Sequence, residues 1–186
     1  GNGATCSVCG AGFYADTAGQ SACAGACGTG YTTNGGTAAV DHDSASDCNY
    51  CAAGYYSSVS AAVGSQTANC VAVGAGYRGV NAASGGSYVA TGASHREVCA
   101  TGKYSTDGNG DCPNTCATGT TTSGNASTDH DSSSDCNVCM AGYGHAGTPN
   151  NDCSMCAVGT FRSGVAAAGC SVCADGYYVS SPGQSS

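Results

Sequence analysis

Residues 27–51 read CGTGYTTNGGTAAVDHDSASDCNYC, and residues 116–139 read CATGTTTSGNASTDHDSSSDCNVC. A Cys-x-x-x-Cys step precedes each copy, from Cys23 to Cys27 and from Cys112 to Cys116. Both copies carry Asp-His-Asp-Ser, and both close on Ser-Asp-Cys-Asn-x-Cys. A match this long is an internal duplication, and a duplication governs how the rest of the chain is read.

The comparison extends to the outermost residues. Residues 6–22, CSVCGAGFYADTAGQSA, return as residues 170–186, CSVCADGYYVSSPGQSS, so that Cys170 lies 164 positions after Cys6. This spacing predicts a repeating unit of about 164 residues, continued as an array on both sides. Residues 1–8 then end a preceding repeat, 9–98 form half-repeat 1, 99–172 form half-repeat 2, and 173–186 begin the next repeat. The first half is the longer one. Its excess lies mostly between Cys51 and Cys99, where the Ser/Ala/Gly-rich stretch that includes Val80 to Ser94 reads as a plain surface loop.

Composition excludes an ordinary globule. The chain has no Leu, Ile or Trp, and only two Phe and two Met among 186 residues. Large aliphatic side chains contribute roughly 1.5–3 kcal/mol each on burial, so a conventional core is out of reach. The 31 glycines make the unfolded chain harder still to order. Against this stand 16 cysteines, an even count at the density of a disulfide scaffold from an oxidising, extracellular compartment. The fold class expected is a small disulfide-rich one, mostly irregular with short β-hairpins: an elongated tandem-repeat rod without a conventional hydrophobic core.

Comparing the half-repeats predicts the bridges. The second half has complete pairs at Cys153/Cys156 and Cys170/Cys173, whereas the first has only Cys70 and Cys99, with Arg96 where Cys170 would be. If Cys70 matches Cys153, Val73 stands for Cys156, and two cysteines missing together point to a Cys156–Cys170 bond. A one-residue gap would instead match Cys70 to Cys156, so the register stays open here. Extended along the chain, the same logic gives Cys9–Cys23, Cys27–Cys48, Cys51–Cys70, Cys99–Cys112, Cys116–Cys136, Cys139–Cys153 and Cys156–Cys170. Each closes a loop of roughly 13–21 residues, worth about 3 kcal/mol in the chain-entropy model. Cys6 and Cys173 are left to pair with neighbouring repeats. Crossed pairing is the rival, because spacing alone cannot fix connectivity.

The remaining motifs are weighed against plain structural roles. The Cys-x-x-Cys pairs have zinc-ligand spacing, yet lone cysteines and Cys-x-x-x-Cys steps do not assemble four-ligand sets, so structural bridges are expected. Asp41, Asp43 and Asp47, and their counterparts Asp129, Asp131 and Asp135, could surround Ca2+. The alternative is a solvated turn in which Asp and Ser cap their own backbone, with His42 and His130 as exposed partners. The tyrosines after cysteines (Tyr14, Tyr55, Tyr56, Tyr77, Tyr104, Tyr143, Tyr177 and Tyr178) suit packing with a wet hydroxyl, or else stacking on carbohydrate. Asn125-Ala-Ser127 is an N-glycosylation acceptor, and Thr120 to Ser123 could carry O-linked sugars. Asn49-Tyr-Cys51 and Asn137-Val-Cys139 are weak sequons. With a net charge of −8 and four basic residues, the chain lacks the basic patch that nucleic-acid binding needs. No apolar run is long enough to span a membrane, and neither a catalytic constellation nor a phosphate loop is present, so neither an enzyme nor a cofactor is expected.

At Cys139-Met-Ala-Gly-Tyr143 and Cys156-Ala-Val-Gly-Thr-Phe161 the chain resembles the cysteine-rich repeats of ciliate immobilisation antigens. More distantly, it is similar to the cysteine-rich modules of growth-factor-receptor and TNF-receptor ectodomains. The Ala/Thr/Ser-rich filling without Leu is closer to the first group. The resemblance implies an abundant coat protein at a protist cell surface. The expectation is thus a structural extracellular glycoprotein, an end-to-end repeat subunit of a surface coat or filament. An adhesin or receptor-ectodomain-like binding module, with specificity in the Cys70–Cys99 loop, is the alternative.

Overall fold

One local instruction starts seven of the eight strand pairs, and the eighth, opened by Val73-Gly-Ala-Gly76, keeps its glycine. A Cys-x-x-Gly step makes a four-residue turn in which the residue after the glycine donates its N–H three residues back, as Tyr31 does to Gly28 and Tyr143 to Met140, both at 3.0 Å. The third position of such a turn needs φ > 0, which only glycine adopts without strain. In the computed structural model the glycine that opens each hairpin has φ between 76° and 84°. The model describes residues 5–34, 36–58, 69–81, 86–145 and 152–186.

Among these residues the strands form eight two-stranded sheets, each joining consecutive strands. They are β1 (Phe13–Tyr14) with β2 (Gly25–Ala26), β3 (Tyr31–Thr32) with β4 (Tyr50–Cys51), and β5 (Tyr55–Ser57) with β6 (Cys70–Ala72). Next come β7 (Tyr77–Val80) with β8 (His95–Val98), and β9 (Lys103–Tyr104) with β10 (Asn114–Thr115). The series ends with β11 (Thr120–Thr121) and β12 (Val138–Cys139), β13 (Tyr143–His145) and β14 (Cys153–Met155), and β15 (Thr160–Phe161) and β16 (Ser171–Val172). In all eight the residue after the second strand donates its N–H to the carbonyl of the opening glycine, at 2.8–3.1 Å. The true structural module is therefore one hairpin, finer than the half-repeat.

A lone hairpin is marginal in water, and disulfides supply what its few ladder bonds cannot. Seven close in sequence order: Cys9–Cys23, Cys27–Cys48, Cys51–Cys70, Cys99–Cys112, Cys116–Cys136, Cys139–Cys153 and Cys156–Cys170. Their Cα–Cα distances of 5.3–5.8 Å are those of ordinary bridges. Cys6 and Cys173 are free. Sulfur also fills the interior: of the ten buried apolar residues among those described, six are cysteines, and the rest are Val73, Val80, Ala93 and Val138.

The register at Cys70 is now decided. Cys70 pairs with Ser57 as Cys153 pairs with His145, and Val73 donates to Gly54 as Cys156 does to Gly142. Val73 thus occupies the place of Cys156. Where Cys170 would complete the bridge, Arg96 donates to the Val73 carbonyl at 3.0 Å and lies over the Tyr56 ring, 5.4 Å from its centroid.

One expectation is corrected in the same region. Residues 82–85 lie outside the described residues, but the rest of the stretch from Val80 to Ser94 is more than a surface loop, because Val80 and Ala93 are buried at 0% and 3% exposure. Val80 bridges Tyr88, and Ser94 donates its N–H to the Val80 carbonyl at 3.0 Å. The physical reason is proximity across the hairpin. A Cβ added at Gly79 would meet that of Ala93 at 2.9 Å, so the bare glycine lets the returning chain close over Val80. Likewise Ala166 bridges Cys139 in antiparallel register.

The chain sorts into two compact units, one of Gly1–Gly74, Arg78–Glu97 and Gly108–Asp111, the other of Ala75–Tyr77, Val98–Asp107 and Cys112–Ser186. Both stack an aromatic ring on a hairpin-opening glycine. In the first, Tyr55 covers Gly30, where a Cβ would lie 2.8 Å from the ring; in the second, Tyr143 covers Gly119 in the same way. Gly159 has the same backbone, with open space around it. Gly159→Ala is therefore expected to cost about 1 kcal/mol, for the left-handed backbone alone. Gly30→Ala and Gly119→Ala should cost about 2–3 kcal/mol, because the ring must also move. Denaturant midpoints of the three variants, with all disulfides intact, check this order.

Candidate functional site

The duplicated Asp-His-Asp-Ser loops are the most elaborated polar structures in the chain. Each carries two single-turn 3-10 segments, Ala39–Asp41 and Ala45–Asp47 in the first copy, Ser127–Asp129 and Ser133–Asp135 in the second. Ser and Asp favour such turns because their side chains hydrogen-bond to nearby backbone. The Ser44 N–H donates to Asp47 Oδ2 at 2.8 Å, and the N–H groups of Asp131 and Ser132 donate to Asp135 Oδ2 at 2.9 and 2.8 Å. The Ala126 N–H donates to Asp129 Oδ2 at 3.0 Å, and Asn34 Nδ2 reaches Asp41 Oδ1 at 3.4 Å.

Four of the six candidate calcium carboxylates therefore serve their own loops. Of the other two, Asp43 is exposed and Asp131 half-buried. Among the described residues no three of these carboxylates converge; the one convergent set of metal-type ligands is Cys139, His145 and Cys153. Its two sulfurs are bonded to each other, so they offer no thiolate. Both ring nitrogens of His145 are buried without a hydrogen-bond partner.

The histidines depart from expectation. Rather than being exposed partners of the turns, His42 and His130 are buried at 4% and 1% exposure. Each clasps two backbone carbonyls. His42 Nδ1 faces the Phe13 carbonyl at 3.2 Å and Nε2 that of Gly36 at 3.0 Å, while His130 faces those of Lys103 and Gly124 at 3.1 and 3.3 Å. A neutral imidazole carries one N–H and donates to one of the two, whereas an imidazolium donates to both. The loop answers in kind: the His42 carbonyl accepts the Ala15 N–H, and that of His130 the Ser105 N–H, both at 3.0 Å. One ring thus ties the loop to the hairpin that precedes it.

Buried hydroxyls repeat the pattern. Thr33 and Thr122, both at 1% exposure, accept the N–H of Gly12 at 3.1 Å and of Gly102 at 2.9 Å. Thr120 and Thr121 are also buried, so of the O-glycan stretch only Ser123 is exposed. Asn125, the N-glycan acceptor, is exposed at the loop surface. The cysteines of the two weak sequons, Cys51 and Cys139, are in disulfides. Of the tyrosines, Tyr14, Tyr55 and Tyr143 set their rings on a glycine, Tyr56 lies under Arg96, and Tyr177 and Tyr178 are exposed.

The ion pairs seen among the described residues sit on the one hairpin that lacks its own disulfide. Arg78, on β7, bridges Glu97 at 3.2 Å and Asp111 at 2.8 Å. Its hydrogen bond to Asp111 is the main influence holding the guanidinium above its ordinary pKa; partial burial opposes this and Glu97 reinforces it. The pair Arg78–Glu97 and the Arg96 contacts occupy the module where Val73 and Arg96 replace two cysteines. No signal in the sequence distinguished Arg78 from any other surface arginine.

No family model, curated protein or solved structure matches this chain. The chemistry of the two loops is that of structural clasps. His130→Ala is expected to cost about 2–4 kcal/mol, from a cavity plus a backbone carbonyl that loses its donor. Asp135→Ala should cost about 1 kcal/mol, as loss of a cap does, and by the same amount in calcium and in a strong chelator. Thermal unfolding in both buffers checks these values; a calcium-dependent loss in the Asp135 variant would reveal a bound ion.

Proposed function

We propose that the protein is a structural extracellular glycoprotein, a tandem-repeat subunit of a cell-surface coat or filament that performs no catalysis. The supporting observation is the order of its bridges: seven disulfides, each joining a cysteine to the next bonded one, staple consecutive hairpins without crossing. Such density of bridges belongs to a secreted or surface protein. No helix among the described residues is long and apolar enough to cross a membrane.

The two free cysteines support continuation from unit to unit. Cys6 is the counterpart of Cys170, which bonds Cys156, and Cys173 is the counterpart of Cys9, which bonds Cys23. Each free sulfur therefore matches a partner in an adjoining copy of the unit. Short modules stapled one after another suit a repetitive scaffold, because length is added without a new core. An exposed Asn125 suits a sugar coat over that scaffold.

Peptide mass spectrometry of the mature protein, digested without reduction, tests the reading. The expected result is Cys6 joined to a peptide equivalent to that around Cys156, Cys173 joined to one equivalent to that around Cys23, and a glycan on Asn125. Two free thiols in the mature material, or Cys6 joined to Cys173 of the same copy, would overturn the end-to-end array.

A further inference from the structure

One buried imidazole takes no part in any clasp. His145, on β13, keeps both ring nitrogens out of water without a hydrogen-bond partner among the described residues, an arrangement that folded chains avoid. One of its nitrogens and the sulfurs of Cys139 and Cys153 all lie within 4.8 Å of one another. Cys139 is fully buried, and Cys153 stands opposite His145 in the β13–β14 register. Two sulfurs and an imidazole are a ligand set that suits zinc. While the sulfurs are bonded to each other they offer the metal nothing. Once parted, they become two thiolates beside a waiting nitrogen.

The three residues are held by more than their bridge. Cys139 donates its N–H to the Ala166 carbonyl at 3.2 Å and accepts that of Ala166 at 3.1 Å, while the His145 N–H donates to Ala168 at 3.2 Å. Separate bridges, Cys116–Cys136 and Cys156–Cys170, secure the modules on either side. The β7–β8 hairpin shows that a module of this kind keeps its strands paired with no bridge of its own. The first half-repeat supplies a contrast. There Cys51–Cys70 occupies the equivalent place, but Ser57 pairs with Cys70 where His145 pairs with Cys153. No such ligand set forms around it among the described residues.

We propose that Cys139, Cys153 and His145 form a zinc site that opens when their bridge is reduced. Two molecules of a small thiol such as glutathione supply the electrons. The first attacks one sulfur and displaces the other as thiolate, the second releases the mixed disulfide, and the reductant leaves as its own disulfide. Each protein thiol gives up its proton as it takes the metal. With Zn–S bonds of ~2.3 Å, the sulfurs of a tetrahedral site stand ~3.8 Å apart. Side-chain rotation from Cα atoms 5.3 Å apart covers that change. Three protein ligands leave the fourth position to water. Disulfide and zinc are thus alternative closures of one module, and neither depends on the end-to-end array.

The test places the full chain, with Cys6 and Cys173 capped by iodoacetamide, in glutathione buffers of graded poise, with and without micromolar free zinc. Acid quenching, removal of zinc by a chelator and maleimide tagging then report by peptide mass how far each bridge is open. Zinc is expected to raise the ratio of open to closed Cys139–Cys153 by roughly tenfold or more at a fixed poise, a shift of about 30 mV. Cys51–Cys70 should not respond. His145→Ser, which copies the residue of the equivalent module, should abolish the response, and Ser57→His should confer it on Cys51–Cys70. Cobalt in place of zinc should give thiolate-to-metal absorption in the parent chain and none in the His145→Ser chain. A Cys139–Cys153 bridge that zinc does not move, or a His145→Ser chain that responds as the parent does, overturns the proposal. So does a zinc effect spread evenly over all seven bridges, which marks metal capture by unfolded chain. Because the thiols are capped, none of these outcomes bears on the end-to-end array.

Discussion

The covalent bond between sulfurs a short distance apart in the chain is the constraint on which everything else rests. Each bridge spans 13–21 residues, a loop short enough to close early and long enough for closure to remove about 3 kcal/mol of unfolded-state freedom. The sheets it secures have only two strands, and strands of two to four residues supply few ladder bonds. Without its bridge a module needs other contacts to offset its conformational entropy. With it, the half-cystines also become the interior: Cys51, Cys99, Cys112, Cys136, Cys139 and Cys156 are all buried. Bridges therefore replace both the entropy and the volume that leucine and isoleucine would otherwise provide.

Much of what remains inside is polar, and in the duplicated loops the buried threonines and histidines are matched, although His145 keeps two unpartnered ring nitrogens. Thr33 and Thr122 receive a glycine N–H, and His42 and His130 each span two carbonyls. A buried polar group destabilises only when it is unpartnered, so a chain poor in oil can still exclude water with matched hydrogen bonds. The price is specificity of sequence, which is why these four residues recur at equivalent places in both copies. The module built on Val73 and Arg96 shows that the scheme tolerates loss of a bridge. There Arg96 takes hold of the Val73 carbonyl and the Tyr56 ring, and Arg78 joins Glu97 to Asp111. Surface ion pairs are individually weak. The two made by Arg78, with the Arg96 contacts and a buried Val80, keep the β7–β8 hairpin in place.

The divergence between copies carries as much information as their likeness. Tyr31 against Thr120 alters the relief of one hairpin without disturbing its turn, since the opening glycines have the same φ of 84°. Ser57 against His145 places an imidazole beside one disulfide and a hydroxyl beside its counterpart. A duplicated scaffold can vary its surface in this way because the backbone is set by the opening glycines, which recur in every module, and by sulfur in all but one.

Much of this was legible in the chain itself. Sixteen cysteines without leucine or isoleucine require covalent closure, and the cysteines missing from the first half point to the Cys156–Cys170 bond. Turn residues after each cysteine announce short hairpins because left-handed backbone belongs to glycine. What the letters could not decide was which polar side chains face inward. Asp-His-Asp-Ser spells a solvated turn equally well, and a threonine run spells a sugar-bearing surface. Only the closed structure brings the Phe13 and Gly36 carbonyls to opposite sides of His42, or folds Ala93 over Val80. Burial is a property of what the rest of the chain places nearby, and no local motif contains it.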